Sequence, residues 1–272
     1  MLKGTSVRLL AAITLLSLAA CAGSDKDKYV ARPVESLYNS AMDDLQNENW
    51  IKAAKGFEEV ERQHPYSVWA TKADLMAAYA YYQGNDYDDS ILAIDRFIQL
   101  HPGHRDVAYA YYLKALDYYV QISDVERDQK ITDTALKALE EVVRRFPDSR
   151  YARDARLKID LTRDHLAGKE MEIGRYYENQ HEYLAAINRF RTVIDQYQTT
   201  THVPEALHRL TECYLAVGLN DEAQRTAAVL GYNYPGSEWY RDSYAMVTHE
   251  GPTPPDIAQQ KGWVARVWDS MF

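Results

Sequence analysis

The chain has 272 residues, of which 46% are hydrophobic and 26% are charged, and its formal net charge is −9. This length and balance are typical of a folded protein of one or two domains with a real hydrophobic core. The acidic charge argues against a nucleic-acid partner, because a phosphate-binding surface needs clustered Lys and Arg. The two cysteines are too few for a disulfide framework.

The first 20 residues predict a secretory signal peptide. Lys3 and Arg8 precede an apolar run from Leu9 to Ala20. This run is about a dozen residues long, whereas a helix that crosses a bilayer needs roughly 20. A basic start, a short apolar segment and small residues before a cleavage point are typical of signal peptides, which are removed from the mature protein.

The end of this segment, LAAC at Leu18–Cys21, resembles the lipobox of bacterial lipoproteins. In that family the cysteine is acylated and becomes the first mature residue, so the resemblance makes Cys21 a membrane anchor and not a catalytic thiol. Several acyl chains anchor a protein stably where one is marginal. Residues 21–32 would then be the lipidated N-terminus and a polar tether. Ala22 and Gly23 resemble the start of lipoproteins sent to the outer membrane. An ordinary signal peptide with a chance cysteine is the alternative.

Five similar segments align on one anchor position, which is a proline in four of them and a glutamine in the fifth: Pro65, Pro102, Pro147, Pro235 and Gln198. Twelve residues before the anchor the residue is always small: Ala53, Ser90, Ala135, Ala186 and Ala223. Eight and five residues before it the residues are apolar: Phe57, Ile94, Leu139, Phe190 and Ala227, then Val60, Phe97, Val142, Val193 and Leu230. Spacings of four and three place these positions on one face of a helix. We therefore expect a helix that packs closely on a neighbour and ends at the anchor.

A second helical pattern precedes each of these segments. Turn signals separate the two patterns at Asn47–Asn49, Gly84–Asn85 and Gly218. Helix pairs that repeat about every 34–37 residues resemble tetratricopeptide repeats. Three tyrosines stand 21 residues before their anchors, where that family has a tyrosine: Tyr81, Tyr177 and Tyr214. The sequence therefore predicts an all-α fold, a superhelical array of five tetratricopeptide-like helix pairs, or α-solenoid.

The predicted array has two halves: residues 33–147 with repeats one to three, and residues 148–250 with repeats four and five. The second half is expected to begin with one long or slightly broken helix, weakened near Gly168. Its apolar positions are Leu157, Ile159, Leu161, Leu166, Ile173, Tyr176 and Tyr177. Repeat three carries eight extra residues between its helices, 121–128, which we expect to form an exposed, charged loop.

The sequence contains no Gly-rich phosphate loop, no HExxH motif, no Cys-x-x-Cys motif and no nucleophile elbow. His101 and His104 stand close together at a helix end, and we interpret them as a loop feature rather than a metal site. Cys213, on an apolar helix face, is interpreted as a small buried residue rather than a reactive thiol. We therefore expect no enzyme activity, no metal and no cofactor apart from the covalent lipid at Cys21.

A helical repeat array offers a concave surface for extended or helical peptides. Combined with a lipobox, this array resembles the BamD family, the lipoproteins of the bacterial outer-membrane β-barrel assembly machinery, or BAM complex. The resemblance spans roughly residues 15–245 and is closest at Ala77–His104, which reads AAYAYYQGNDYDDSILAIDRFIQLHPGH. It continues in RFPDSRYARDARLKIDLTRDHLA and in GRYYENQHEYLAAINRFRTVI.

The resemblance implies a non-enzymatic scaffold, lipid-anchored in the outer membrane and facing the periplasm, that promotes the folding and insertion of outer-membrane proteins. It implies that the N-terminal repeats receive the C-terminal targeting signal of unfolded β-barrel proteins. The C-terminal repeats would dock the periplasmic domains of the core barrel subunit, and other BAM lipoproteins would be further partners. An alternative function is another periplasmic repeat lipoprotein that coordinates cell-wall synthesis or division.

The resemblance also implies one binding residue. Arg189, in AAINRF, matches the family arginine that contacts the core subunit, and a guanidinium fork can pair with a carboxylate. A solvated helix arginine is the alternative. For the substrate groove we expect Arg62, Tyr66, Tyr81 and Tyr82. Adjacent helical residues point about 100° apart, so one tyrosine of the doublet can be core while the other faces the groove.

Residues 251–272 are predicted to be a Pro-rich linker followed by an amphipathic tail. Trp263, Val264, Val267 and Trp268 fall on one helical face. The tail would contact a membrane, a partner or the last repeat.

Overall fold

A computed structural model describes residues 31–248, except 126 and 128, together with Val267. From residue 31 to residue 248 the described chain forms eleven helices and no strand. In chain order they are α1 (Val34–Gln46), α2 (Trp50–Gln63), α3 (Val68–Gln83), α4 (Tyr87–Leu100), α5 (Val107–Tyr119), α6 (Lys130–Arg145), α7 (Arg150–Asn179), α8 (Tyr183–Gln196), α9 (Val203–Ala216), α10 (Asn220–Asn233) and α11 (Glu238–Thr248). The signal peptide, Cys21 and the tail apart from Val267 lie outside the described residues.

The helices pack as five consecutive pairs, α1–α2, α3–α4, α5–α6, α7–α8 and α9–α10, and α11 packs on the last pair. We call α1, α3, α5, α7 and α9 the first helices and their partners the second helices. Neighbouring first helices also contact one another, as α1 contacts α3 and α3 contacts α5. The predicted all-α array of five tetratricopeptide-like pairs is confirmed.

The seams between paired helices lie at the positions that the repeat alignment marks. All fifteen residues that stand twelve, eight and five positions before an anchor are 0% exposed, from Ala53 in α2 to Leu230 in α10. The packing leaves no spare volume in the α7–α8 pair, where a Cβ on Gly174 would lie 2.4 Å from a ring carbon of Phe190. Small residues at these contacts let two helix backbones approach closely, as the sequence predicted.

Both ends of the second helices follow the repeat. Every second helix ends two residues before its anchor, and α8 does so although its anchor is Gln198 rather than proline. Within four pairs the turn carries one residue of positive φ, between 59° and 78°, seventeen positions before the anchor: Glu48, Asn85, His181 and Gly218. The three predicted turns are confirmed. In the fourth pair the residue of positive φ is His181, which is neither glycine nor asparagine, so its residue type does not indicate a turn.

Helix α7 is one unbroken helix of 30 residues, so of the two expected forms the structure has the continuous one. Gly168 lies at a close contact inside it, where a Cβ would be 3.3 Å from Nε2 of His202. The long helix serves two pairs. Its N-terminal half packs on α6, and its C-terminal half is the first helix of the fourth pair.

The expected apolar face of α7 was partly wrong. Ile159 and Leu166 are buried, but Leu157 and Leu161 are 66% and 61% exposed, and Tyr176 is exposed as well. Ile159 lies about 200° around the helix from Leu157, and only the side that carries Ile159 packs into the core with α6. The two exposed leucines therefore need another explanation.

The described residues among 121–128 belong to the expected loop between α5 and α6, but they are not all exposed. Ile122 and Val125 are half-buried, and a Cβ on Gly168 would lie 3.7 Å from Cγ1 of Val125. Nε2 of Gln129 lies 2.8 to 3.3 Å from three carbonyl oxygens of the loop. Hydrogen bonds within the loop therefore stabilise it, and the loop packs on α7.

The seam of the second pair holds a buried carboxyl group. The Ser90 hydroxyl lies 3.0 Å from the carbonyl oxygen of Ala78 and 2.9 Å from Oδ2 of Asp117 in α5. Asp117 is 0% exposed, and its Oδ1 has no hydrogen-bond partner among the described residues. Burial raises the pKa of Asp117 to about 7, while the hydrogen bond from Ser90 opposes this shift. Below about pH 7 the protonated form is therefore favoured in the folded protein.

We expect Asp117→Asn to stabilise the protein at about pH 8 but hardly at about pH 4. The contribution of a protonated Asp117 is present at acid pH, falls as pH rises above about 4, and is lost above about 7. The neutral amide avoids this loss and keeps the Ser90 contact, so the gain at about pH 8 should be roughly 1–4 kcal/mol.

Thermal unfolding at both pH values, followed by circular dichroism, measures the difference. Asp160→Asn, on the exposed surface of α7, is the matched control and should change little at either pH. An equal effect of Asp117→Asn at both pH values would contradict the buried carboxyl.

Candidate functional site

A groove crosses the first helices of repeats one to three. It encloses about 350 Å³. The residues that line it come from α1, α3, α5 and the α4–α5 loop: Tyr38, Thr71, Lys72, Leu75, Met76, Tyr79, His104, Arg105, Asp106 and Tyr109. The lining is mainly aromatic and aliphatic, and its exposed cations are Lys72 and Arg105. Such a groove can bind an apolar segment of chain.

The two faces of α3 explain why the groove forms there. Ala73 and Tyr81 are buried in the same core cluster as the seam residues of α2. Lys72, Met76 and Tyr79 follow one another at spacings of four and three on the neighbouring face of α3, where Met76 and Tyr79 also pack against the edge of that cluster. The seam with α2 thereby orients a mixed apolar and basic stripe into the groove.

Aromatic packing shapes the α1 side of the groove. The Tyr38 ring centroid lies 4.8 Å from that of Trp69 and 5.4 Å from that of Phe57. Nζ of Lys72 lies 5.3 Å from the Trp69 ring centroid, in a cation–π contact. Within the described residues Lys72 has no carboxylate partner, so its charge is available to an anionic group of a ligand.

The charges on the opposite side of the groove are partly neutralised. Nε of Arg105 lies 3.4 Å from Oδ2 of Asp106, and the Asp106 backbone N–H donates to Nδ1 of His104 at 3.2 Å. Burial is the main cause that raises the pKa of Tyr109, which keeps its phenol neutral. The groove as a whole offers aromatic surface with one unpaired cation, and this arrangement suits binding rather than proton transfer.

The four residues that the sequence predicts for the substrate groove do not lie together in the structure. Tyr81 is 5% exposed and donates a hydrogen bond of 3.0 Å to Glu58, so it is the core tyrosine of the doublet. Tyr82 is half-buried and packs near Tyr87. Arg62 lies on α2, and Tyr66 is fully exposed in the α2–α3 loop. None of the four is among the described residues that line the groove, and their role in binding stays a prediction.

Tyr38, Met76, Tyr79 and Tyr109 line the groove but were not among the predicted site residues. A signal for the α3 residues was present, because Lys72, Met76 and Tyr79 share a helix face beside that of the buried alanines. What the spacing could not show is that this face meets α1 and α5 and closes a groove, whereas other uncovered faces remain open to solvent.

Arg189 lies at a second, smaller recess of about 230 Å³ on α8, together with Tyr177, Ala185, Asn188 and Thr192. Its Nη1 lies 3.1 Å from Oε2 of Glu170 in α7, and its side chain is 42% exposed. Arg189 is thus neither buried nor fully solvated. One carboxylate holds it while part of its guanidinium group remains accessible to a partner.

The described residues show no arrangement that indicates catalysis. No group of three or more His, Cys, Asp or Glu side chains among them could hold a metal ion. His101 is the C-cap residue of α4 and His104 lies in the loop that follows, so both stand at the helix end where the sequence places them. Cys213 is 1% exposed, and burial is the main cause that raises its pKa to about 12, as expected for an inert thiol. No described helix combines the length and apolarity that crossing a membrane requires.

Known proteins are similar in sequence over most of the chain. A family model described as YfiO, outer membrane lipoprotein, matches residues 30–230. An outer membrane protein assembly factor BamD from Caulobacter vibrioides is 52% identical over 252 residues, which are 92% of this chain and 83% of the relative. The chain belongs to the BamD family. A BamD-family relative from Rickettsia prowazekii is 45% identical over 88% of this chain and 96% of its own length.

Another BamD-family relative, from Neisseria meningitidis, is 37% identical over 82% of this chain and 89% of its own length. Among solved structures, a thermophilic TPR protein from Thermus thermophilus is 18% identical, with a TM-score of 0.36 over 80% of this chain and 100% of that one. The TPR2AB domain of yeast Sti1 is 8% identical, with a TM-score of 0.42 over 87% and 88%.

The placements of Tyr81 and Tyr66 predict different effects on stability when the hydroxyl group is removed. Tyr81→Phe removes the hydrogen bond to Glu58 and should lower the free energy of unfolding by about 0.5–1.5 kcal/mol. Tyr66→Phe, at a fully exposed ring, is the matched control and should leave it unchanged. Urea unfolding measures both. Equal stabilities of the two variants would contradict a structural role for the Tyr81 hydroxyl.

Proposed function

We propose that this lipoprotein is a non-enzymatic scaffold of the outer-membrane β-barrel assembly machinery that holds segments of unfolded barrel proteins. Its BamD-family relatives carry the name outer membrane protein assembly factor. The observation that carries the proposal is the groove across α1, α3 and α5, with its aromatic lining and the unpaired Lys72. The C-terminal segment of a barrel strand offers matching chemistry, because it has apolar side chains on one face and a terminal carboxylate.

The N-terminal sequence supports a lipid anchor for the scaffold. A lipid on Cys21 would hold the chain at the outer membrane, and the polar residues 21–32 would let the repeats extend into the periplasm. The match of the outer-membrane lipoprotein family supports this arrangement. A scaffold tethered in this way acts by raising the local concentration of its ligands near the membrane.

The second half of the array would dock the core barrel subunit. Arg189 supports this because its guanidinium group is pre-oriented by Glu170 and still 42% exposed. An acidic side chain of the core subunit could pair with the accessible edge, since a guanidinium fork offers several donors. One rigid array would thereby hold a segment of the barrel protein in its groove and bind, through its second half, the subunit that inserts this protein.

The groove proposal predicts that Lys72→Glu and Met76→Glu weaken the binding of a peptide from the C-terminus of an outer-membrane barrel protein. Each variant places a negative charge where the ligand brings apolar surface or a carboxylate, and we expect a loss of about tenfold or more. Fluorescence anisotropy with the full mature chain measures it. Lys55→Glu, an exposed lysine of α2 outside the groove, is the matched control. Unchanged binding by both groove variants would refute the assignment.

The docking proposal predicts that Arg189→Glu reduces co-purification with the core barrel subunit from membranes by about tenfold. Arg225→Glu is the matched control, because Arg225 is also a second-helix arginine, paired with Glu222 at 2.9 Å and 48% exposed. Both substitutions break only surface ion pairs, so each should change stability by less than about 1 kcal/mol. Recovery of wall-synthesis proteins instead of a barrel subunit with the unaltered chain would favour a different scaffold.

A further inference from the structure

One face of α7 forms a continuous stripe along the whole helix. Spacings of four and three residues connect its members: Arg153, Leu157, Leu161, Asp164, Gly168, Met171, Arg175 and Glu178. Helices that lie end to end beside α7 can cover a stripe with this spacing. The two exposed leucines that the fold leaves unexplained belong to this stripe.

The C-terminal part of the stripe is covered by α9 and the loop before it. The backbone N–H of Thr201 donates to Oδ1 of Asp164 at 3.0 Å, and Arg175 pairs with Glu205 of α9 at 2.9 Å. Met171, between these contacts, is 0% exposed. From Asp164 onward the stripe is therefore an internal surface of the array.

The N-terminal part of the same stripe is bare. Leu157 and Leu161 are 66% and 61% exposed, and Arg153 is exposed beside them. Helix α9, which covers the C-terminal part of the stripe, begins only at Val203. No other described helix covers the stripe along the N-terminal half of α7. This half is a first helix without a second helix of its own, because α7 runs on into the next pair instead of turning back.

The bare part is also basic. From Arg150 to Leu161 the chain has four Lys and Arg and two Asp, a local charge of +2 in a protein whose net charge is −9. Arg150, Arg153 and Arg156 are exposed, and in the described part of the chain none of them pairs with a carboxylate. Arg156 instead donates to the carbonyl oxygen of Pro147 at 3.0 Å. Arg150 donates to the Tyr151 hydroxyl at 2.8 Å. The partners of these arginines are therefore neutral, and their charges can still pair with the carboxylates of a ligand.

We propose that this face, formed by Leu157, Leu161, Arg150, Arg153 and Arg156, docks an acidic amphipathic helix of another protein. The helix would lie beside α7 in line with α9 and fill the helix position that the array leaves open. Its apolar side chains would cover the two leucines, and its carboxylates would pair with the three guanidinium groups. The face is separate from the groove and from the Arg189 recess, so the proposal does not depend on the assembly role.

The test uses the full mature chain and a synthetic helical peptide of about 20 residues, with leucines at i, i+4 spacing flanked by glutamates. Fluorescence anisotropy should detect binding. Leu157→Ser/Leu161→Ser and Arg153→Glu/Arg156→Glu should each weaken binding by about tenfold. Leu184→Ser, at a leucine of α8 that is 69% exposed, is the matched control and should not change it. All substitutions are at exposed positions, and thermal unfolding checks that each variant is folded.

A charge exchange makes the test specific. A peptide in which lysines replace the glutamates should bind the unaltered chain poorly and the Arg153→Glu/Arg156→Glu variant about tenfold better. Binding of both peptides to both proteins with equal affinity would overturn the proposal, as would failure of the acidic peptide to bind.

Two other occupants would also overturn it, and each has its own signature. Anionic phospholipid vesicles that bind through Leu157 and Leu161, while the peptide does not bind, would assign the face to a membrane. Self-association in sedimentation, abolished by Leu157→Ser/Leu161→Ser, would assign it to a second copy, whose α4 carries the exposed Leu92 beside Asp88 and Asp89. In membranes, a photo-crosslinker at position 157 should join an acidic helical segment of a protein, whereas one at position 184 should not.

Discussion

The close approach of paired helices at a small residue is the constraint on which the rest of the structure depends. In every pair the residue twelve positions before the anchor is fully buried, and it is an alanine in four pairs and Ser90 in the other. A larger side chain there would separate two backbones that are packed to crystal-like density. Because the seams fix how each helix is rotated, they also fix which side chains of the first helices point outward. The groove is a consequence of that rotation.

The second consequence comes from the continuity of α7. A regular array would turn back after each first helix, but α7 continues for 30 residues and joins two pairs. A continuous helix is rigid over this length, so the groove half and the Arg189 half are held in one body without a flexible linker. The same continuity leaves Leu157 and Leu161 without a covering helix, although the pattern alone had suggested that they are core.

The two AYAYY strings, at Ala78–Tyr82 and Ala108–Tyr112, illustrate what the sequence could predict about the site. Helical spacing predicts that these tyrosines divide between seam and surface, and Tyr81 is indeed in the seam. The groove is instead lined by Tyr79 and Tyr109, the first tyrosine of each string. They come from different turns of α3 and α5, and no repeat period relates them. Only the packing of these two helices beside each other brings both rings to one groove.

The sequence by itself determined the helix pairs, their seams and their ends, because these depend on the size and spacing of residues within a short stretch of chain. It also determined the family, since the motifs extend over most of the length. The tertiary structure decided which uncovered faces meet one another. Arg189 of α8 is held by Glu170 of α7, and Tyr38 of α1 packs on Trp69 of α3 at one side of the groove. Such choices depend on distances between helices, and these distances are set by the whole array rather than by any local pattern.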